Sequence, residues 1–338
     1  MHVNATGSIT CNTENDARFG FRAIRFWHFV SKELLVPHSQ AKTRDLVDRP
    51  IASVRVLQCG KAEQHWEHRY GSKRPQLWWV FLGKRWVPLP LQSFMIAHRD
   101  GLVLFDTGID PAVQFDKSYI RQAIGRFLLA RIFRLHLKET DRIDHVLSDV
   151  GVSPKDIRKA VISHLHFDHV GGISQIPQAE LLVSAREWAI LSEPHPEKEW
   201  MLREHIEIPG ADWRQISFVP TDDPLFADFG GVHDVTGDGS MILLPTPGHT
   251  PGSLSMLIRQ DGWNPILLVA DLTYEVAMLE ADRVPGTGDP DVLRASFAKV
   301  RRLRERLPGL EIVASHDFGA KEAIARATGP TDLMEDSM

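Results

Sequence analysis

Short apolar runs recur along this chain, and many end abruptly in a polar residue. Val54–Leu57, Trp78–Leu82 and Val87–Ile96 read as strand material, the second and third broken by Gly83 and Pro88. Leu102–Phe105, Ala160–Ile162 and Ala179–Ser184 are short buried-type strands. Ile216–Val219 and Val232–Val235 follow, then Met241–Leu244 after the hairpin signal Asp238-Gly239. Leu254–Ile258, Ile266–Ala270 and Ile312–Ala314 complete the strand set.

Helical spacing appears in fewer places. Ile120–Leu137 puts Ile124, Phe127, Leu128, Ile132 and Leu135 on one face. Ile143–Val150 has Asp141 as its expected N-cap and Gly151 past its end. Asp289-Pro290 starts a helix with Leu293, Phe297, Val300, Leu303 and Leu307 as the buried stripe. Its Lys299, Arg301, Arg302, Arg304 and Arg306 read as a solvated face. Lys61–Arg74 reads as a loop. Its His65 and His68 read as part of a solvated loop and not as metal ligands, because no carboxylate or strand end organises them. Glu193–Ile208 reads as a charged surface excursion.

At 338 residues the chain can bury a large core. Residues 1–50 look like an N-terminal arm, 51–325 the main domain and 326–338 a C-terminal tail. Within the arm, Phe19–Val36 is aromatic-rich but interrupted by charge, which favours a packing segment over a membrane helix. The net charge of -5 gives no general pull toward nucleic acid or membrane, so neither is expected as a partner. No secretory signal or spanning run is visible, and two cysteines offer no disulfide framework. These features predict a cytoplasmic protein.

The densest chemistry lies in Ser163-His164-Leu165-His166-Phe167-Asp168-His169-Val170-Gly171-Gly172. Four metal-capable side chains fall within six residues. His164 and His166 are two apart, so an extended backbone puts both imidazoles on one side. Gly171 and Gly172 are expected to let the chain bend tightly. Imidazole and carboxylate without thiol suit Zn, Mn, Fe or Co.

Other strand ends share the theme. Met241–Leu244 leads to His249, Ile266–Ala270 ends in Asp271, Ile312–Ala314 leads to His316, and Leu102–Phe105 ends in Asp106. If these strands share an edge, five histidines and two or three aspartates converge. That inventory fits two cations roughly 3.5–4 Å apart with a bridging aspartate. One metal with the remaining groups in support is the alternative.

These residues resemble the metallo-β-lactamase superfamily over roughly residues 54–320. The motif is His164-x-His166-x-Asp168-His169, then Gly248-His249-Thr250-x-Gly252, Asp271 and His316. The implied fold is a mixed α/β (α+β) αββα sandwich, two mixed β-sheets flanked by helices, with 51–325 as its catalytic domain. Leu244–Gly252, Asp271-x-x-Tyr274, Gly286–Pro290 and Ser315-His316-Asp317 narrow the likeness to the N-acyl-homoserine lactone lactonases, the quorum-quenching branch. Tyr274 is the most informative residue. The Trp78-Trp79 segment and the Ile120–Leu137 helix match no motif of the family and are expected to shape the pocket for the non-reacting part of the substrate.

What the resemblance implies is a hydrolase with two divalent ions, Zn2+ first, with Mn, Fe or Co as alternatives. His164, His166 and His249 would bind one metal; Asp168, His169 and His316 the second; Asp271 would bridge. Asp106 would orient a ligand imidazole. A metal-bridging hydroxide would attack the lactone carbonyl. Tyr274 would stabilise the oxyanion and Asp168 would protonate the leaving oxygen. The expected partner is a small-molecule lactone, and a homodimer is compatible with the sequence. Rival readings are another hydrolase of the same fold (other lactone, thioester, β-lactam or phosphodiester), an iron oxidoreductase, or a lactone-binding protein without turnover.

Overall fold

The computed structural model describes residues 49–329. Most of the N-terminal arm, including Phe19–Val36, and the tail beyond 329 lie outside the described residues.

Among the described residues, twelve strands build two sheets. In chain order they are β1 (Ile51–His65), β2 (Trp86–His98), β3 (Gly101–Phe105), β4 (Phe133–His136), β5 (Ile157–Val161) and β6 (Glu180–Ser184). Then come β7 (Asp212–Ile216), β8 (His233–Asp234), β9 (Met241–Pro245), β10 (Leu254–Ile258), β11 (Ile266–Ala270) and β12 (Glu311–Ala314). The first sheet has the order β4-β1-β2-β3-β5-β6-β7, the second β12-β11-β10-β9-β8. Both are mixed: β3, β5, β6 and β7 run parallel, as do β11 and β12, and the remaining pairs are antiparallel.

Strand alternation makes three apolar layers. Phe94, Val103 and Phe105 meet Met241, Leu243 and Met256 between the sheets. On the outer face of the first sheet, Leu104 and Ala160 pack on Ile143 and Leu147. Behind the second sheet, Leu244, Leu257 and Leu267 pack on Leu293, Phe297, Val300 and Leu303. The result is the αββα sandwich that the motifs imply. Helix Pro290–Arg306 begins where Asp289-Pro290 indicates: the Asp289 carboxylate accepts from the backbone N–H groups of Asp291 and Val292. Its basic face pairs with Asp228, Glu280 and Asp282 at the surface. Among the described residues, no helix is long and apolar enough to cross a membrane.

Several segments depart from the sequence expectations. Lys61–Arg74 is no loop. β1 continues to His65, paired on one side with β2 and on the other with β4, and a short helix, Trp66–Tyr70, follows. Trp78–Leu82 is helical, in Gln76–Leu82, and Gly83 closes it by donating to the Trp79 carbonyl. A five-residue apolar run carries no period that separates helix from strand. The helix expected over 120–137 shrinks to Ala123–Ile132, because Phe133–His136 peels off to pair with β1.

Residues 193–208 include buried Met201, Leu202 and Ile206. Asp141 does not cap the helix Ile143–Asp149; it accepts from the Lys138 N–H in the turn before. A helix absent from the sequence reading, Ala320–Thr328, buries Ala320, Ala323, Ile324 and Ala327 and crosses the boundary drawn at 325.

Phe297 sits fully buried at the centre of the layer behind the second sheet. Phe297→Ala should destabilise the protein by about 3–5 kcal/mol, read as the shift in a denaturant-unfolding curve.

Candidate metal centre

The strand ends β3, β5, β9, β11 and β12 deliver Asp106, His164–His169, His249, Asp271 and His316 to one place. Three sets of side chains have ligand atoms that all lie within 4.8 Å of one another: His164, His166 and His249; His164, His169 and Asp271; Asp168, His169 and His316. The sets share His164 and His169, so the cluster is continuous. His164, His169, Asp271 and His316 are buried, and His166, Asp168 and His249 are half-buried.

The outward ring nitrogens are anchored and the inward ones converge. His169 Nδ1 donates to Asp106 Oδ2 at 2.8 Å, and His316 Nδ1 donates to the Pro90 carbonyl at 2.8 Å. Ser163 Oγ donates to Asp106 Oδ2 at 2.8 Å, so it accepts from His164 Nδ1 at 3.0 Å. These bonds leave each Nε2 facing inward as a lone pair in the neutral ring. His164 Nε2 and His249 Nε2 lie 3.0 and 3.1 Å from the same atom, His166 Nδ1. One nitrogen cannot satisfy both.

Asp271 straddles the cluster. Its Oδ1 faces His169 Nε2 at 3.3 Å and His316 Nε2 at 3.1 Å, while Oδ2 faces His249 Nε2 at 3.4 Å. Despite the proximity, neither Asp271 Oδ1 nor His169 Nε2 makes a hydrogen bond. Buried polar atoms without partners are rare in native proteins. Convergent lone pairs, an unpartnered carboxylate oxygen and an all-nitrogen-and-oxygen donor set fit divalent cations.

Titration behaviour divides the cluster. Burial, with neighbouring imidazoles adding to it, pushes His164 well below the ordinary range and His166 down to about 4. Burial likewise lowers His249 well below it. Burial opposes charge on His169 and His316 too, yet the facing carboxylates together overcome it and raise both: Asp271, Asp106 and Asp168 at His169, Asp271 and Asp168 at His316. Burial would raise Asp271, but the facing His316, His169 and His249 hold it well below the carboxylate range.

The backbone supports this placement. Asp106 has φ 61 and Ala270, just before Asp271, has φ 48, a left-handed region that non-glycine residues rarely occupy. Gly171 and Gly172 serve differently from the expected tight bend. Their φ values are −59 and −95, open to any residue. A side chain at either would overlap the backbone of Thr107–Asp110, so they permit close approach of the Asp106 loop.

Two functional positions escaped the sequence reading. Glu187 is fully buried and ties two loops of the cluster together. It accepts from the Leu165 N–H at 3.0 Å, from Thr250 Oγ1 at 2.7 Å and from the Gly252 N–H at 2.9 Å. Burial raises its pKa against those three donors. Its only sequence signal is a lone glutamate after a strand. The other is His68, which is buried with Nε2 3.2 Å from the Tyr274 hydroxyl. Burial lowers its pKa to about 3, so it is neutral.

The His68 Nδ1 has no partner. A buried N–H without an acceptor costs more than an idle lone pair. The proton therefore sits on Nε2 and is donated to Tyr274 Oη, which frees the tyrosine's own hydrogen. Burial, then the Asp271 charge, raises Tyr274 well above the phenol range and keeps that hydrogen in place.

A cavity of about 280 Å³ opens over the cluster. Asp168, His249, Asp271, His316 and Tyr274 form its polar side; Leu89, Ile132, Phe133, Phe167 and Trp200 form apolar walls. Ile132 and Phe133 come from the segment expected to shape the pocket. Trp200, held at φ 62, comes from the stretch read as a surface excursion.

The chain belongs to the metallo-beta-lactamase superfamily, whose family model matches residues 86–316. Within it, the similarity runs to N-acyl homoserine lactonases. The lactonase AttM of Azorhizobium caulinodans is 29% identical over 251 residues, covering 72% of this chain and 88% of AttM. A solved N-acyl homoserine lactone hydrolase, with the product N-hexanoyl-L-homoserine at its catalytic metal centre, superposes with a TM-score of 0.65 at 22% identity. The match covers 81% of this chain and 96% of that one. AidC, a dizinc quorum-quenching lactonase, gives a TM-score of 0.55 at 17% identity, covering 82% and 93%. At those identities the two solved structures share the fold.

Replacing Glu187 by Gln puts an amide N–H against donors that now meet a carboxylate oxygen. Glu187→Gln should lower stability by about 2 kcal/mol, measured by chemical denaturation, with the secondary structure unchanged.

Proposed function

We propose that this protein opens the ring of N-acyl-homoserine lactones by metal-dependent hydrolysis. The observation that carries this reading is the Tyr274 hydroxyl. It lies in the cavity beside His249 and His316, with ring centroids 6.3 and 5.4 Å away, and is oriented by His68. The similarity to AttM supports it, as do cavity walls apolar enough for an acyl chain.

His164, His166 and His249 would hold one divalent cation. Asp168, His169 and His316 would hold a second, with Asp271 shared between them. Zn2+ suits these donors, with Mn, Fe or Co as alternatives. When bound, such a pair makes water acidic enough to supply hydroxide near neutral pH and polarises a carbonyl.

The chain's own groups do the rest. Tyr274 donates its free hydrogen to the lactone carbonyl oxygen as negative charge develops there. His68, by donating to Tyr274 Oη, leaves that hydrogen available to an acceptor in the cavity. The Asp168 carboxylate faces the cavity half-buried; it would take up the proton given up by the adding water and pass it to the departing ring oxygen. Asp106 holds His169 in one tautomer. The apolar walls receive the acyl chain and keep bulk water from the reacting carbonyl.

A pH-indicator assay across lactones of increasing acyl length tests the reading, with thioester, β-lactam and phosphodiester controls. Acid release from homoserine lactones is expected; turnover confined to a control class would sink the proposal. Tyr274→Phe should retain metal and lose about 10²–10³-fold in rate, the scale of a lost oxyanion donor. His68→Phe should also keep metal and slow the reaction, and adding it to Tyr274→Phe should change little. Asp271→Ala and His249→Ala should lose metal and activity together.

Metal uptake should release protons, because His169 and His316 carry raised pKa values without it. Affinity should therefore fall as pH drops and protons compete, which calorimetry in buffers of different ionisation enthalpy would measure.

A further inference from the structure

Two segments beside the cavity contain no acidic residue. Residues 71–86 carry Lys73, Arg74, Lys84 and Arg85; residues 120–136 carry Arg121, Arg126, Arg131 and Arg134. The chain as a whole has a net charge of -5, so these segments invert its sign locally. Arg121 and Arg134 pair with Glu204 and Glu63. The other six have no carboxylate partner among the described residues.

The same segments expose large apolar side chains. Leu77, Phe81 and Leu82 on helix Gln76–Leu82 are 69%, 41% and 59% exposed; Ile124 and Phe127 on helix Ala123–Ile132 are 63% and 49% exposed. The Phe81 and Phe127 rings lie 6.3 Å apart, and the Arg131 guanidinium sits 5.7 and 5.6 Å over the two. The two helices thus share one apolar patch rimmed by cations.

That combination selects among partners. A second copy meeting this patch across a twofold axis would set cations against cations. Nucleic acid would use the cations and leave the leucines and isoleucine in water. An anionic bilayer takes both: aliphatic and phenyl groups enter the headgroup boundary while Lys and Arg meet the phosphates.

We propose that this patch docks the protein on an anionic lipid surface. Docking follows from the patch alone and reverses the expectation, drawn from overall charge, that no membrane is a partner. The patch adjoins the cavity, which the same segments line through Gln76, Ile132 and Phe133. On the lactone reading, amphiphilic acyl lactones would meet the site where they partition.

Co-sedimentation of the full chain with vesicles tests this. Binding is expected to phosphatidylglycerol-containing vesicles, not to pure phosphatidylcholine, and should weaken with salt. Lys73→Glu with Lys84→Glu, and separately Leu77→Ser with Phe127→Ser, should each abolish binding. Unfolding midpoints and lactone hydrolysis in free solution should stay unchanged. Absence of binding to anionic vesicles, or binding retained in both double variants, overturns the proposal. So does conversion of a dimer to monomers by these substitutions in sedimentation velocity, which would make the patch a self-interface. Vesicle binding without lactone turnover leaves the docking intact and removes the lactone reading.

Discussion

The cluster depends first on the Asp106 carboxylate. It is wholly buried, yet all its contacts are donors: the Ser163 N–H on one oxygen, Ser163 Oγ and His169 Nδ1 on the other. A buried carboxylate is tolerable only when satisfied in this way. Each donor belongs to the loop that follows β5. One side chain at the end of β3 therefore fixes the start of the histidine loop, the tautomer of His169 and, through Ser163, that of His164. The left-handed backbone at Asp106 aims the carboxylate, and the glycines at 171 and 172 let the two loops touch.

Glu187 performs the corresponding task between the histidine loop and the His249 loop. Thus two buried carboxylates, neither in the metal-ligand sets, set the distances among residues that come from five strand ends. Asp271 is different in kind. Its oxygens face three imidazoles at 3.1–3.4 Å, and Oδ1 takes no hydrogen bond from any of them. Asp106 is satisfied by donors of the protein, whereas Asp271 keeps an unpartnered oxygen turned toward the histidines.

The strands beyond residue 240 and the helix Pro290–Arg306 were legible because their apolar runs are bounded by turn residues and a clear cap. The histidine cluster was legible because its side chains are dense and lie at strand ends. What resisted reading had no local signature. The charged half of β1 is a strand because two neighbours hydrogen-bond to it. The helix Gln76–Leu82 has too short an apolar run to show a period. Ala320–Thr328 packs through alanines, which resemble a polar tail in composition. His68 sat in a charged stretch, and only the fold brings Tyr274 to it across more than two hundred residues.

This division follows the site's two tasks. Cation binding needs particular atoms at particular spacings, so its residues are conspicuous in sequence. The walls need only apolar surface of the right shape, which many sequences supply. Accordingly the segments whose local structure departs from the sequence expectation, 76–82, 123–136 and 193–208, contribute Gln76, Ile132, Phe133 and Trp200 to the cavity. On the proposed lactone reading, selectivity for the acyl portion would fall to these walls and not to the sandwich. The docking patch we propose lies on the same two helices, so access to the site and recognition at it would share them.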